Sequence, residues 1–474
     1  MDRVDIERIV EEVVRKIGER GAEAGAGAKV SVSTAYSSLD DLIERSREAQ
    51  RRYQELGFEV RRRVISAIRK VALEHADELG RLAVDETGLG KMPDKREKVV
   101  LAATKTPGVE DLVPHTYTGD HGLTLEELAP YGVVVSITPS TNPPSTIVNN
   151  VISILAGGNS VIFQPHPGAK RVSVRTAELV REAVASAGAP ADVVLCVSEP
   201  TIEGAQYLMK HDGVDLLLVT GGEGVVRAAM NSGKKAICAG PGNPPVVVDE
   251  TADIGRAARD IVSGASFDNG VLCTAEKEVF VVESVADALM REMRAAGAIQ
   301  LSSSDAARVT ELVIAEDPAG HGERKPVINK KFVGKNASVI ARACGIDVPD
   351  GAPLLFFEAE WDHPLVMAEQ LMPVLPVVRV PTVDEAMRLA VLVEHGFRHT
   401  FIMHSKNIER LSRMAKLCNA NIFVKNGPSY AGLGYMGEGY TTLSIAGTTG
   451  EGLTSAKDFV RPRRCVLVDY FKIV

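Results

Sequence analysis

The residue best suited to covalent chemistry is Cys273, in the segment FDNGVLCTAEKEVF, where a glycine-containing loop precedes the thiol and an apolar run follows it. A thiolate in such a loop is a strong nucleophile toward a carbonyl carbon, and backbone dipoles can activate it. The same spacing also suits a small buried core cysteine, the reading given to Cys196, Cys238 and Cys465, which lie in or beside strand-like runs. A second feature is SITPSTNPPST (136–146), in which a buried-strand pattern ends at Thr138 and a Pro-rich turn leads into a helix. Ligands of open α/β sheets bind at that end of a strand. Asn142 in the turn is able to donate its amide hydrogen to an oxyanion, and is equally placed to cap the next helix. Thr220, Gly221 and Gly222 open a helix after the run LLLVT, so backbone amides there can approach a phosphate. The turn lacks the full GxGxxG fingerprint. Pro165 and His166 end the run SVIFQ, where an adenosine ribose or a plain βα loop would fit.

These residues need elements to hold them. From Gly132 the runs GVVVSI, SVIFQ, DVVLCV and DLLLVT alternate with amphipathic helix-length stretches. Continuous apolar runs mark strands buried on both faces, so a parallel sheet of βαβ units is expected. From about Val279 to Val424 the runs VFVV, PVVRV, FIMH and NIFV repeat the pattern and indicate a second α/β domain. Helices are expected at Asp40–Leu56 and Val60–Val84. A polar hairpin is expected at Thr116–Leu125, with the C-terminal run RCVLVDYFKIV as a strand pairing with it.

Near the N-terminus, Val4, Ile6, Ile9, Val10, Val13, Val14 and Ile17 fall at helical spacing, followed by GAEAGAGA. That is an amphipathic helix on a flexible tether, and its apolar face needs a partner because a short helix is marginal alone in water.

A chain of 474 residues with 45% hydrophobic and 24% charged residues has material for more than one core. A net charge of -8, with no basic block, excludes a general nucleic-acid binder. No apolar stretch reaches the length of a membrane span. The six cysteines lack CxxC pairing, so free thiols in a reducing compartment are expected. His395 and His399 share i,i+4 spacing without HExxH or a third ligand, and no metal site is expected. The absence of GxxxxGK[ST] removes a nucleotide triphosphatase.

Together the segments TPSTNP, LAGGNSVIFQPHPGAK, CAGPGNPPVVVDETADI, LCTAEKEVF, EQLMPVLPVVRV, VKNGPSYAGLG, IAGTTGEGLTSAKDF and RRCVLVDYFKIV resemble the aldehyde dehydrogenase superfamily. The resemblance is to its coenzyme A-acylating propionaldehyde and acetaldehyde dehydrogenases of bacterial microcompartments. It implies a Rossmann-type NAD-binding domain (35–113 and 132–250), an α/β catalytic domain (251–440) and a small β oligomerisation flap (114–131 and 455–474). It also implies a targeting helix (1–18) for shell proteins, a linker (19–34), a homodimer or homotetramer, and a bacterial cytoplasmic enzyme enclosed in a microcompartment. Carried over residue by residue, it makes Cys273 the nucleophile, with its own amide and Asn142 as oxyanion donors. Glu369 would hold the nicotinamide ribose, Thr138, Thr220, Gly221 and Gly222 would lie along the cofactor, and Pro165 with His166 would lie on the adenosine side. The implied substrates are a short aldehyde, NAD and coenzyme A. Hydrolytic relatives carry a general-base glutamate in ELGGK, but the aligned segment here is AGPGN (239–243), so water lacks its activator and a thiol is favoured. Glu276 is read as a surface or structural glutamate rather than as a replacement base, and Gln164 stands where hydrolytic relatives have a lysine.

Overall fold

The computed structural model describes residues 38–315 and 326–473. The expected N-terminal helix and its tether lie outside the described residues.

Five parallel strands form one sheet in the order Val194–Cys196, Ser160–Pro165, Val133–Thr138, Leu216–Thr220, Ala236–Ala239. Each apolar run in this region became a strand, and the three central strands are buried along nearly their whole length. That burial is why the runs show no alternation: helices cover both faces, one core gathering Val134, Val161 and Leu218, the other Val135, Ile162 and Leu217. Chain order reverses direction at Val133–Thr138, so a crevice opens beyond the carboxyl ends of this strand and of Leu216–Thr220.

Seven parallel strands form a second sheet, ordered Ile299–Gln300, Leu355–Glu358, Val374–Val380, Glu278–Val282, Pro245–Val248, Thr400–His404, Ile422–Lys425. Cys273 sits just before the central strand Glu278–Val282. The third sheet is antiparallel: the hairpin His115–Gly119 and Gly122–Pro130 receives Val460–Val468 along its full length.

Two expectations are corrected. The stretch Val60–Val84 is two helices, Gly57–Glu74 and Ala76–Thr87, broken at His75, whose φ/ψ of -106°/10° leaves the helical region. No glycine or proline marks that break. Cys465 is exposed, because it lies on Val460–Val468 in the three-stranded sheet, a strand exposed along most of its length. Cys238 is buried as expected and Cys196 is partly exposed.

Candidate active site

The crevice at the carboxyl ends of the first sheet continues into a cavity of about 480 Å³ that reaches the loop before Glu278–Val282. All nine residues singled out from the sequence line it: Cys273, Asn142, Thr138, Pro165, His166, Thr220, Gly221, Gly222 and Glu369. They come from segments more than two hundred residues apart, and the two sheets bring them together.

Cys273 is partly exposed at the end of a loop that the chain holds in an unusual conformation. Asp268, Asn269 and Gly270 have φ of 50°, 55° and 71°, three consecutive left-handed residues of the types that tolerate that region. Their strain is held by specific bonds. Asn269 Nδ2 donates to Gly334 O (3.0 Å) and Asn336 Oδ1 (2.8 Å), and the Asp268 amide donates to Asp94 Oδ2 (2.6 Å). Buried Lys277 ties the loop from within, donating from Nζ to Gly270 O (2.8 Å) and more weakly to Leu272 O (3.5 Å). Gly242 lets the 239–243 segment approach this loop, since a Cβ there would lie 2.9 Å from the His399 ring and 3.0 Å from Cys273 O.

Burial pushes the Cys273 thiol up to about 12, and the Glu369 carboxylate adds to the rise, while Lys277, Lys98 and the residue's own backbone amide oppose it. Glu369 is itself raised to about 7 by burial, opposed by Lys277 and by the Gly242 amide, which donates at 3.4 Å. Among the described residues, Glu369 is the one carboxylate lining the cavity. Ala239, Gly240 and Pro241 line it too, so the segment that carries a base in hydrolytic relatives contributes no acid here.

Asn142 occupies the N-cap position of the buried helix Pro143–Ala156, yet its side chain makes no capping bond. Instead Oδ1 accepts from Lys98 Nζ, and Nδ2 donates to Thr141 Oγ1 (3.2 Å), leaving a second amide hydrogen to donate. The capping alternative therefore does not describe the side chain. Glu276 is structural: its carboxylate accepts from the Ser429 amide (2.8 Å) and hydroxyl (2.7 Å), away from the cavity lining.

The far end of the cavity has the features of a dinucleotide cradle. Gly222 heads the helix Glu223–Met230 with no side-chain cap, and no atom lies within 4 Å of where its Cβ would be. The Gly221 amide is spent on Ala239 O (3.1 Å), and Thr220 Oγ1 on Ser444 Oγ (2.7 Å). Thr138 Oγ1 and Gln164 Oε1 are buried without a hydrogen-bond partner among the described residues, as suits groups awaiting a polar ligand. His166 caps the turn Pro167–Ala169, accepting from the Gly168 amide at 3.0 Å; burial and nearby Lys330, which also lines the cavity, hold its ring below the usual range. These residues fit NAD or a related adenine nucleotide.

Several site residues escaped the sequence reading. His399, weighed there only as a metal ligand, lines the cavity. Burial, with Lys277, holds its ring at about 4, and Nδ1 is paired with Thr400 Oγ1 (2.9 Å). It is therefore a neutral imidazole at neutral pH. Lys95 and Lys98 were missed as well, although a signal existed: Lys95, Lys98, Val99 and Ala102 form an i, i+3, i+4, i+7 stripe, and such stripes face the core. Both lysines are buried and pair with Asp268. Among the described residues no group of three or more His, Cys, Asp or Glu side chains is arranged to hold a metal ion, and no helix is long and apolar enough to cross a membrane.

The protein is 49% identical to the acetylating acetaldehyde dehydrogenase of Salmonella typhimurium over the whole of both chains. Its fold superposes with a TM-score of 0.90 on a propionaldehyde dehydrogenase from the fucose utilisation bacterial microcompartment of Clostridium phytofermentans, at 44% identity, covering 94% of this chain and 100% of that one. It superposes with a TM-score of 0.88 on Rhodopseudomonas palustris propionaldehyde dehydrogenase with bound CoA and an acylated cysteine, at 46% identity, covering 92% and 98% of the two chains. The profile described as the aldehyde dehydrogenase family matches residues 23–437, and with the cavity's thiol, amide donor and nucleotide cradle already in place, the chain belongs to the aldehyde dehydrogenase family.

Proposed function

We propose that this protein oxidises a short-chain aldehyde, propionaldehyde or acetaldehyde, with NAD and transfers the acyl group through a Cys273 thioester to coenzyme A. The observation that carries the reading is one cavity holding Cys273 and Asn142 beside a 239–243 segment that offers no base for water. The names and bound ligands of the similar proteins support the same substrates.

In the resting site the thiol is protonated, so sulfur bonds to the aldehyde carbonyl carbon as its proton passes to solvent water, the proton that the overall oxidation releases. The carbonyl oxygen becomes an oxyanion, and the free Asn142 amide hydrogen and the Cys273 backbone amide are its donors. Bound NAD would supply the hydride acceptor, leaving a thioester on Cys273. The Thr138 hydroxyl and the Gln164 carbonyl oxygen would offer buried polar contacts to the cofactor, and Glu369 would hold its nicotinamide ribose. A second thiol, from coenzyme A, then attacks the thioester carbonyl and Cys273 departs as thiolate. Neutral His399, with Nδ1 engaged and Nε2 making no hydrogen bond among the described residues, accepts the proton of the incoming thiol. A thiol is far more acidic than water and needs less assistance, so transfer outpaces hydrolysis.

We further infer that 35–113 with 132–250 binds the cofactor, that 251–440 carries the nucleophile, and that the 114–131 and 455–474 sheet joins subunits of a homodimer or homotetramer. Exposed Val466 and Val468 on that sheet, with exposed Tyr470 just beyond it, support the last assignment. The 1–18 segment, by its apolar stripe and tether, directs the enzyme to the shell of a bacterial microcompartment in the cytoplasm. Fusing residues 1–20 to a fluorescent protein tests this: recruitment to shells is expected, and diffuse fluorescence beside intact shells contradicts it. The catalytic reading is tested by mass spectrometry of the products from propionaldehyde, NAD and coenzyme A; propionyl-CoA is expected, and propionate alone refutes it.

A further inference from the structure

Two buried ammonium groups stand behind the oxyanion donor. Lys95 and Lys98, 1% and 2% exposed, share one buried carboxylate, that of Asp268, with Lys95 Nζ 2.9 Å from Oδ2. Two cations against one anion is an unusual arrangement for a protein interior, where unpaired charge is costly. The excess is resolved by two further acceptors. Lys95 Nζ donates to the Thr141 carbonyl and Lys98 Nζ to Asn142 Oδ1. Asp268 is meanwhile fixed by the Lys91 amide, which donates to Oδ1 at 2.9 Å, and by Gly90, whose φ of +76° and missing Cβ leave room for the carboxylate.

Asn142 has two possible orientations of its amide, differing by a half-turn that exchanges oxygen and nitrogen. With Lys98 in place, only one avoids setting an N–H against an ammonium. That orientation presents nitrogen, the donor, on the side away from Lys98. We propose that Lys98 is a positioning residue for the oxyanion: it locks the Asn142 amide so that its N–H is offered to the oxygen of the carbonyl group whose carbon Cys273 attacks. Lys95 holds the backbone of the same turn and does not touch the amide. The inference rests on the assignment of Cys273 and Asn142 above, and not on the identity of the acyl acceptor.

The test uses p-nitrophenyl acetate, which acylates a nucleophilic cysteine without NAD or coenzyme A and releases p-nitrophenolate in a burst. A burst in the native enzyme that is lost in Cys273→Ala establishes that the probe reads the right thiol; its absence would overturn the underlying assignment rather than the role of Lys98. Lys98→Met is expected to slow the burst by about tenfold or more, yet by less than about twofold when Asn142→Ala is already present, because a residue acting through Asn142 has nothing left to position. Lys95→Met is expected to slow it by the same factor in both backgrounds. Alkylation of Cys273 by iodoacetamide, which builds no oxyanion, is expected to slow less than acylation in Lys98→Met. Equal losses from Lys98→Met in the two backgrounds, or alkylation slowed as much as acylation, would overturn the proposal, as would an unaffected burst. If Lys98→Met does not fold, Lys98→Gln enters the same cycle with the same outcomes.

Discussion

Replacing Asn142 by alanine separates an oxyanion donor from a structural residue. The side chain is 6% exposed and caps no helix, so truncation removes no capping bond. It does remove an acceptor from Lys98, whose ammonium keeps Asp268 as partner. The expected structural effect is therefore the loss of one charge-assisted hydrogen bond, on the order of 1–3 kcal/mol, together with the longer bond to Thr141 Oγ1. The catalytic effect is larger, because a donor aimed at developing charge in a buried site contributes about 2.7–4 kcal/mol, or about 10²–10³ in rate. The decisive assay is the first turnover: enzyme saturated with NAD is mixed with propionaldehyde without coenzyme A, and NADH is followed by stopped flow. The burst should slow by about 10²–10³ while NAD affinity, measured separately by fluorescence titration, changes by much less. A burst within about threefold of the native rate would refute the role and leave Asn142 a structural residue.

Cys273→Ala should abolish acyl-CoA formation by several orders of magnitude with the fold retained, as judged by circular dichroism, and retention of about a tenth of turnover would contradict the nucleophile assignment. Glu369→Gln removes a negative charge that raises the Cys273 thiol, so iodoacetamide should alkylate Cys273 faster near neutral pH, by about tenfold for each pKa unit released; slower alkylation would reverse the stated electrostatics. Gly264→Ala lies in a helix, where the change normally gains about 1 kcal/mol, but here a Cβ would lie 2.1 Å from the buried Glu276 carboxylate, so urea unfolding should instead show a loss of about 1–3 kcal/mol. Glu276 is raised by burial to about 7, above an unfolded value of about 4.3; its contribution to stability is whole below that lower value and is lost as pH rises through about 7, up to about 4 kcal/mol. Stability compared with Glu276→Gln across that window should show the native chain falling relative to the variant, and parallel curves would count against it.

The legible parts of the fold are those whose physics is local. Eight strands of the two parallel sheets announced themselves because burial on both faces leaves unbroken apolar runs such as GVVVSI and DLLLVT, whereas Ala236–Ala239, Pro245–Val248, Ile299–Gln300 and Leu355–Glu358 are short runs that do not stand out; the loops at the carboxyl ends of the legible strands fixed where Thr138, Pro165 and Thr220 would gather. The break at His75 was invisible because helix formers flank it and neither a glycine nor a proline marks the turn. The exposure of Cys465 was missed because a strand pattern does not reveal whether a second layer covers it. In the site, Cys273 and Asn142 could be picked out by local sequence, but their support could not. Asp268 meets Lys98 across 170 positions, and nothing near either residue names the other. His399 likewise gains its place only when the 239–243 segment folds against the Cys273 loop.

The central claim is that the acyl group leaves Cys273 for a thiol and not for water. It is tested most directly by counting NADH formed from excess aldehyde and NAD with coenzyme A withheld. The account predicts a burst approaching one NADH per active site followed by near-arrest, with steady turnover and stoichiometric acyl-CoA on adding coenzyme A. Sustained turnover to the free acid without coenzyme A would contradict it.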